Sequence, residues 1–174
     1  MPIMNKLTAA YLAGIIDGEG SIGFRKVKVE ECIGGISLQP RLRISMCDKE
    51  LIYWLRDSFG GGLHTRKGLK NGFRDSYCWS VYGNKMREII KKVYPYLRTK
   101  KKHAEIVMKF WKTMQYIPVN NTHKELKPEM RKEREVLFEQ LKSLQIKGKN
   151  VAAEETEREN PSGVRQSELI GMKL

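Results

Sequence analysis

Residues 12–20 read Leu-Ala-Gly-Ile-Ile-Asp-Gly-Glu-Gly, an apolar run that ends in alternating glycines and acids. The apolar part predicts a helix with Thr8 as its N-cap, and the glycines predict where that helix ends. Small side chains four residues apart form a smooth row, along which a second backbone can approach closely. We therefore predict that this helix packs against a copy of itself, through Ala9, Ala10, Ala13 and Gly14.

Two basic segments follow this helix, and the first is rich in β-branched residues. Residues 21–30 (SIGFRKVKVE) and 37–46 (SLQPRLRISM) each predict a strand. In the second strand, apolar and polar side chains alternate with a period of two, which is typical of a half-buried strand. The apolar members are Leu42, Ile44 and Met46, and the polar members are Arg41, Arg43 and Ser45. The solvent face of this strand is therefore predicted to be basic.

The remaining elements complete a mixed pattern. Asp48 predicts the N-cap of a second helix, and residues 62–67 and 73–82 predict a hairpin. Helices are then expected from about Asn84, over 106–114, and from Lys127 to Gln145. The order α-ββ-α-ββ-α-α-α predicts an α+β fold, with an antiparallel sheet and the helices on one side of it.

The charge of the chain predicts a polyanion as its partner. The 174 residues carry a net charge of +13, which favours nucleic acid over an anionic membrane. A merely soluble basic protein is the alternative explanation of the charge. Residues 147–174, the C-terminal tail, contain five basic and five acidic side chains, so residues 1–146 carry the whole excess. We expect one domain over 1–146 and an extended or mobile tail over 147–174.

Cysteine usage and apolar runs favour an intracellular protein without a membrane span. The three cysteines form no CxxC pair, and the apolar stretches are only a few residues long. The N-terminus lacks the apolar region of a signal peptide. We expect a cytoplasmic location in a prokaryote, and an organellar or nuclear one otherwise.

The nonapeptide at 12–20 resembles the LAGLIDADG motif of homing endonucleases, with Ile15 for Leu, Gly18 for Ala and Glu19 for Asp. Residues 95–104 (PYLRTKKKHA) resemble the stretch before the C-terminal helices of that family, and the order of elements is similar too. The resemblance covers about residues 5–145. It implies an αββαββα core with a saddle-shaped antiparallel sheet, followed by extra C-terminal helices.

The resemblance also implies an active site. In the family the acid at the eighth motif position binds the metal, so Glu19 is the predicted catalytic acid and ligand, with the backbone carbonyl of Gly18. Hard oxygen donors suit Mg²⁺, which supplies Lewis-acid chemistry for phosphodiester hydrolysis. Lys100 matches the catalytic-site lysine of the family. Asp17 is a third candidate catalytic residue, and capping of helix ends at the interface is its alternative role. The family's glutamine near residues 45–48 is missing, with Asp48 or water as its alternatives.

A single motif implies a homodimer, because one protomer supplies one acid and two strands must be cut. Its basic sheet is expected to lie along double-stranded DNA. Arginines would specify bases, while lysines would mainly meet phosphates. The alternation predicts these DNA-binding residues: Arg25, Arg41, Arg43, Ser45, Thr65, Lys67, Arg74 and Ser76.

The function implied by the resemblance is sequence-specific, Mg²⁺-dependent cleavage of double-stranded DNA in intron or intein homing. The site would be long and pseudo-palindromic, and the cut would leave short 3′ overhangs. The alternatives are an RNA-binding splicing factor (maturase), with its own intron RNA as partner, or a non-cleaving DNA-binding regulator. Because such proteins can lose the acid, retention of Glu19 and Lys100 favours the nuclease.

Overall fold

The structure, a computed structural model, describes residues 4–28, 36–68, 74–114, 116–118 and 124–159. For residues 36, 116–118, 124–126, 128 and 146–159 it gives the backbone alone. Between the third and fourth helices lies a short 3-10 helix, Tyr94–Tyr96. The other elements are α1 (Lys6–Glu19), β1 (Gly20–Lys28), β2 (Ile36–Met46), α2 (Lys49–Phe59), β3 (Gly62–Arg66), β4 (Ser76–Tyr82), α3 (Gly83–Val93), α4 (Lys101–Lys112), β5 (Tyr116–Pro118), β6 (Lys124–Leu126) and α5 (Pro128–Glu159).

The predicted α+β class is confirmed. Four strands form an antiparallel sheet in the order β1-β2-β4-β3, while β5 and β6 form a separate hairpin that was not predicted. Three residues per strand are too few for a period of two to show. None of the helices within the described ranges is long and apolar enough to cross a membrane.

Burial separates the two faces of the sheet. One face packs on the helices and holds the fully buried side chains of Ile22, Leu42, Ile44 and Trp79. The opposite face, which we call the outer face, follows from the strand register. Its members are Ser21, Gly23 and Arg25 of β1, Gln39, Arg41, Arg43 and Ser45 of β2, Ser76, Cys78, Ser80 and Tyr82 of β4, and Gly62, His64 and Arg66 of β3.

Two helix starts depend on side-chain caps. Asp48 accepts a hydrogen bond from Leu51 N at 2.9 Å, so its prediction as a cap was right. The prediction of Thr8 was wrong, since α1 begins earlier and Asn5 caps it by accepting from Thr8 N at 2.8 Å. Asn5 is as good a cap as threonine, and Lys6 and Leu7 are good helix formers that extend the first turn.

The face prediction for β3 was wrong. The register puts Thr65 opposite Tyr77, which lies on the helix side of the sheet, and Lys67 lies beyond the end of the strand. His64 and Arg66 occupy the outer face instead. Because side chains alternate, an error of one position moves the whole set to the other face.

The last helix begins one residue after its predicted start and continues much farther than Gln145. The chain divides into two compact units, Met1–Leu141 and Lys142–Leu174, and α5 runs from the first into the second. Side chains beyond Gln145 and all of residues 160–174 lie outside the described part. An extended or mobile tail therefore stays a prediction, as does a domain end at residue 146.

A glycine turn links α2 to the sheet. Trp79 donates its indole N–H to the carbonyl of Gly60 at 2.6 Å, and Gly60 and Gly61 both have positive φ. A Cβ on Gly61 would lie 2.6 Å from the Ser80 carbonyl oxygen and 2.9 Å from Trp79 Nε1. The turn therefore tolerates no side chain at Gly61.

We expect Gly61→Ala to lower the free energy of unfolding by about 1–3 kcal/mol, since alanine at this φ is strained and its Cβ meets backbone. Gly62→Ala is the matched control, because there a Cβ would meet only the Ser80 hydroxyl, at 3.8 Å. Urea unfolding followed by circular dichroism measures both. Equal stability of the two variants would contradict this account of the turn.

Candidate active site and DNA-facing surface

The end of α1 presents Glu19 to solvent. Leu12, Ala13 and Ile16 are fully buried and fix the helix, while Glu19 is its exposed last residue. The Glu19 carboxylate makes no hydrogen bond or ion pair with any residue that the structure describes. The chain then turns directly into β1 at Gly20, where a Cβ would lie 2.5 Å from the Ile16 carbonyl oxygen. Glu19 is therefore a free carboxylate at the edge of the sheet.

Asp17 is held by the segment that precedes α4. Its Oδ2 accepts from Arg98 N at 2.7 Å, and its Oδ1 accepts from Lys100 N at 2.8 Å and from the Thr99 hydroxyl at 3.0 Å. Burial raises the pKa of Asp17, but these hydrogen bonds outweigh it and hold the pKa below its usual range. The carboxylate is already engaged, in agreement with the capping alternative. The capped segment belongs to the same protomer, however, and not to a copy.

This contact brings the backbone of Lys100 to the end of α1. Lys100 is half-buried and is the N-cap residue of α4. His103 lies one turn later, and burial, followed by the charge of Lys100, lowers its pKa. The lowered pKa favours the neutral imidazole, so His103 adds little to the positive charge that Arg98 and Lys100 to Lys102 already provide. The structure thus brings Asp17 and the Lys100 segment together, two residues from Glu19.

The donor set at this site fits a magnesium ion that keeps most of its water and phosphate ligands. Glu19 offers a free carboxylate, and around Gly18 there is open space, with nothing within 4 Å of an added Cβ. Within the described ranges, no three His, Cys, Asp or Glu side chains gather into a protein cage. Mg²⁺ is commonly bound through one or two carboxylates together with substrate phosphates.

Residues 45–48 contain no glutamine, and Asp48 or water was the predicted replacement for the one that the family has there. Asp48 lines an open cavity of about 560 Å³ together with Cys47, Arg74, Asp75 and Tyr77. Because its carboxylate caps α2, Asp48 already has a structural role. Nothing in its geometry assigns it the role of the glutamine.

Most of the predicted DNA-binding residues share the outer face. Arg25 and Arg43 are exposed and Arg41 is half-buried, while Arg74 is exposed just before β4. The ones that the register places on the outer face are Arg25, Arg41, Arg43, Ser45 and Ser76. Sequence reasoning missed His64 and Arg66, although counting from the apolar Leu63 gives the right face.

Tyr82 is a further outer-face residue that the sequence analysis missed. The Arg25 guanidinium carbon lies 5.7 Å from the centre of its ring. Burial raises the pKa of Tyr82, but the neighbouring Ser80, Arg25 and Arg41 side chains lower it by more, so the net pKa lies below the usual range. The Tyr82 ring thus packs against one outer-face arginine, Arg25.

The predicted dimer face of α1 requires a correction. Ala9 and Ala13 are 3% and 0% exposed inside the protomer, so they are not available to a second copy. Ala10 and Gly14 are exposed, and the exposed side of the helix continues through Leu7 (82%) and Tyr11 (55%). When a helix is apolar on all sides, its sequence does not indicate which side faces the core.

We expect Asp17→Asn to destabilise the protein by about 1–3 kcal/mol at pH 7, because an amide NH₂ replaces an oxygen that accepts from backbone N–H groups. The folded pKa of Asp17 is depressed below 3.8. Its contribution to stability is therefore full above about pH 4 and is lost as the pH falls through the folded pKa. Thermal unfolding between about pH 2 and pH 7 should show a flatter acid dependence for the variant.

Asp57→Asn is the control, since the exposed Asp57 carboxylate pairs with its neighbour Arg56 at the surface. Equal effects of the two substitutions at pH 7 would show that Asp17 does not hold the 98–100 segment.

Several solved structures with a similar fold contain DNA. I-CvuI in complex with its target aligns at a TM-score of 0.63 and 22% identity, covering 80% of this chain and 82% of that one. The archaeal intron-encoded I-Vdi141I complexed with DNA aligns at 0.62 and 20% identity, covering 79% and 84%. Meganuclease I-SmaMI bound to DNA aligns at 0.57 and 23% identity, with 75% of this chain covering 43% of that one. At these identities the similarity establishes the fold.

Sequence comparison identifies the family. No curated protein matches the sequence closely enough to count as a relative. The sequence profile described as LAGLIDADG endonuclease matches residues 12–117, which is more than half of the chain and contains the C-terminal part of α1, the four-stranded sheet and Lys100. Together with the predicted fold and the free acid after the motif helix, this match shows that the chain belongs to the LAGLIDADG endonuclease family.

Proposed function

We propose that the protein is a sequence-specific endonuclease that cuts double-stranded DNA with the help of Mg²⁺. The observation that carries this proposal is the position of Glu19. Its free carboxylate directly precedes β1, and Ser21, two residues later, already lies on the basic outer face. DNA bound along that face would have its backbone close to the acid.

The chemistry divides among the residues of the site. Glu19 and the Gly18 carbonyl would hold the metal, which when bound polarises the phosphate and activates water. Lys100 supplies a positive charge that stabilises the phosphorane-like transition state or orients the attacking water. Asp17 acts as a positioning residue, since it holds the backbone of Lys100. I-CvuI structures obtained with calcium or magnesium support the choice of a divalent ion.

Dimerisation completes the proposal. One protomer offers one free acid, so cutting both strands requires two copies. The exposed row of Leu7, Ala10, Tyr11 and Gly14 on α1 supports a contact in which two such helices pack closely. A two-fold axis through this contact predicts a long pseudo-palindromic site. Short 3′ overhangs after cleavage are what the family resemblance implies.

We expect Glu19→Gln to reduce cleavage by at least about 10³-fold while specific DNA binding stays within about tenfold. The substrate is a duplex that spans the intron-free allele of the host gene, incubated with Mg²⁺, and the cut ends are mapped by sequencing. Glu133→Gln, an exposed acid on α5, is the control and should cut normally. Specific binding without cleavage by the unmodified protein would favour the regulator or maturase alternative.

We expect Gly14→Leu to convert the dimer into monomers, because a large side chain blocks close approach of the helices. An added Cβ meets nothing within 4 Å inside the protomer, so the fold itself has room for the change. Sedimentation equilibrium measures the mass, and Lys109→Leu on the exposed side of α4 introduces the same side chain elsewhere. A dimeric Gly14→Leu protein would contradict this interface.

A further inference from the structure

The outer-face arginines of β1 and β2 are held in different ways. The Arg25 guanidinium carbon lies over the Tyr82 ring, 5.7 Å from its centre. Arg43 is held by different partners on β2 and β4, at the end of the sheet near Glu19. Arg43 therefore has side-chain contacts of its own, in addition to its contribution to the positive charge of the outer face.

Arg43 is anchored through its Nε atom. The single Nε–H points to the Cys78 sulphur at 3.0 Å and to the Ser45 hydroxyl at 3.1 Å. Cys78 is itself 9% exposed, and its thiol contacts the carbonyl of the fully buried Trp79 at 3.8 Å. The base of the guanidinium is therefore attached to a rigid part of the sheet.

The outer edge of the same guanidinium is left open. Among the residues that the structure describes, the two Nη nitrogens of Arg43 have no hydrogen-bond or ion-pair partner. The residues opposite Arg43 on the neighbouring strands are Ser21 and Ser80, whose side chains are too short to cover it. The free edge is a planar pair of donors, the arrangement that matches the O6 and N7 acceptors of guanine in the major groove.

We propose that Arg43 is a specificity-determining residue that recognises one guanine in each half-site, and that Cys78 and Ser45 are the positioning residues that orient it. This inference rests on the proposed DNA-binding function. Because Arg43 pairs with Ser21, only two residues after Glu19, it lies nearer the free acid than Arg41, which pairs with Gly23, or Arg25. Among these three arginines, Arg43 would therefore contact the innermost base.

Anchoring lowers the entropic cost of recognition. A free arginine loses several rotatable bonds when it binds a base, and that loss reduces discrimination. The bonds from Nε to Cys78 and Ser45 restrict those rotations before DNA arrives. A bidentate arginine–guanine pair discriminates against other bases by about 5- to 150-fold. Removal of the anchor should reduce that factor without moving the preference to a different position.

The experiment selects DNA from a library of randomised duplexes with the full-length protein. The unmodified chain should enrich a two-fold symmetric motif with an inner guanine in each half. Arg43→Ala should lose the preference at that one symmetric pair of positions by about 5- to 150-fold and keep the others. Arg43→Lys keeps the positive charge but lacks the planar pair of donors, and it should lose the same preference. Arg87→Ala, an exposed arginine on α3, removes equal charge and should leave the motif unchanged.

The positioning role has its own readout. Cys78→Ala should weaken the same guanine preference, whereas Cys78→Ser retains an acceptor for Nε and should restore it, whatever the two changes do to the melting temperature. If the unmodified protein enriches a motif that Arg43→Ala and Arg43→Lys leave intact, the inference is wrong and the proposed function stands. If the unmodified protein enriches no motif and cuts no duplex, both fail.

Discussion

The contact between the Asp17 carboxylate and residues 98–100 joins the two parts of the candidate active site. Glu19 and Lys100 lie 81 positions apart in the sequence, and the four strands of the sheet come between them along the chain. Three short hydrogen bonds to one carboxylate fix the start of α4 against the end of α1. A charged acceptor makes such bonds about twice as strong as neutral ones. The motif thus contains one exposed carboxylate, on Glu19, and a second one, on Asp17, that holds two distant segments together.

Much of this arrangement is visible in the sequence. The alternation around Leu42 and Ile44 correctly predicted which side of β2 is buried, and Asp48 correctly predicted a helix start. These successes share a cause, because each depends on a local period or cap that spans only a few residues. The roles of the two acids of the nonapeptide stay predictions.

The predictions failed where contacts between distant residues determine which way a side chain faces. The face of Thr65 depends on how β3 pairs with β4 after three glycines, and no local pattern fixes that register. Ala9 and Ala13 look like interface residues because the helix is apolar all round, and only packing shows that they belong to the core. The partner of Asp17 is equally hidden, since a contact between residues 17 and 98–100 leaves no periodic trace in one sequence.

The two-sided sheet also allows target preference to change without loss of the fold. Exposed outer-face positions such as Arg25 and His64 contribute little to the core, so their replacement typically alters stability by less than about 0.5 kcal/mol. On the proposed function, a lineage could exchange them one at a time and change its DNA site while the scaffold persists. Cys78 and Ser80 are the exception, because both are buried within that same face and only small side chains fit there. Change is thus freest at the exposed outer-face positions and most constrained at Cys78 and Ser80, beside Arg43.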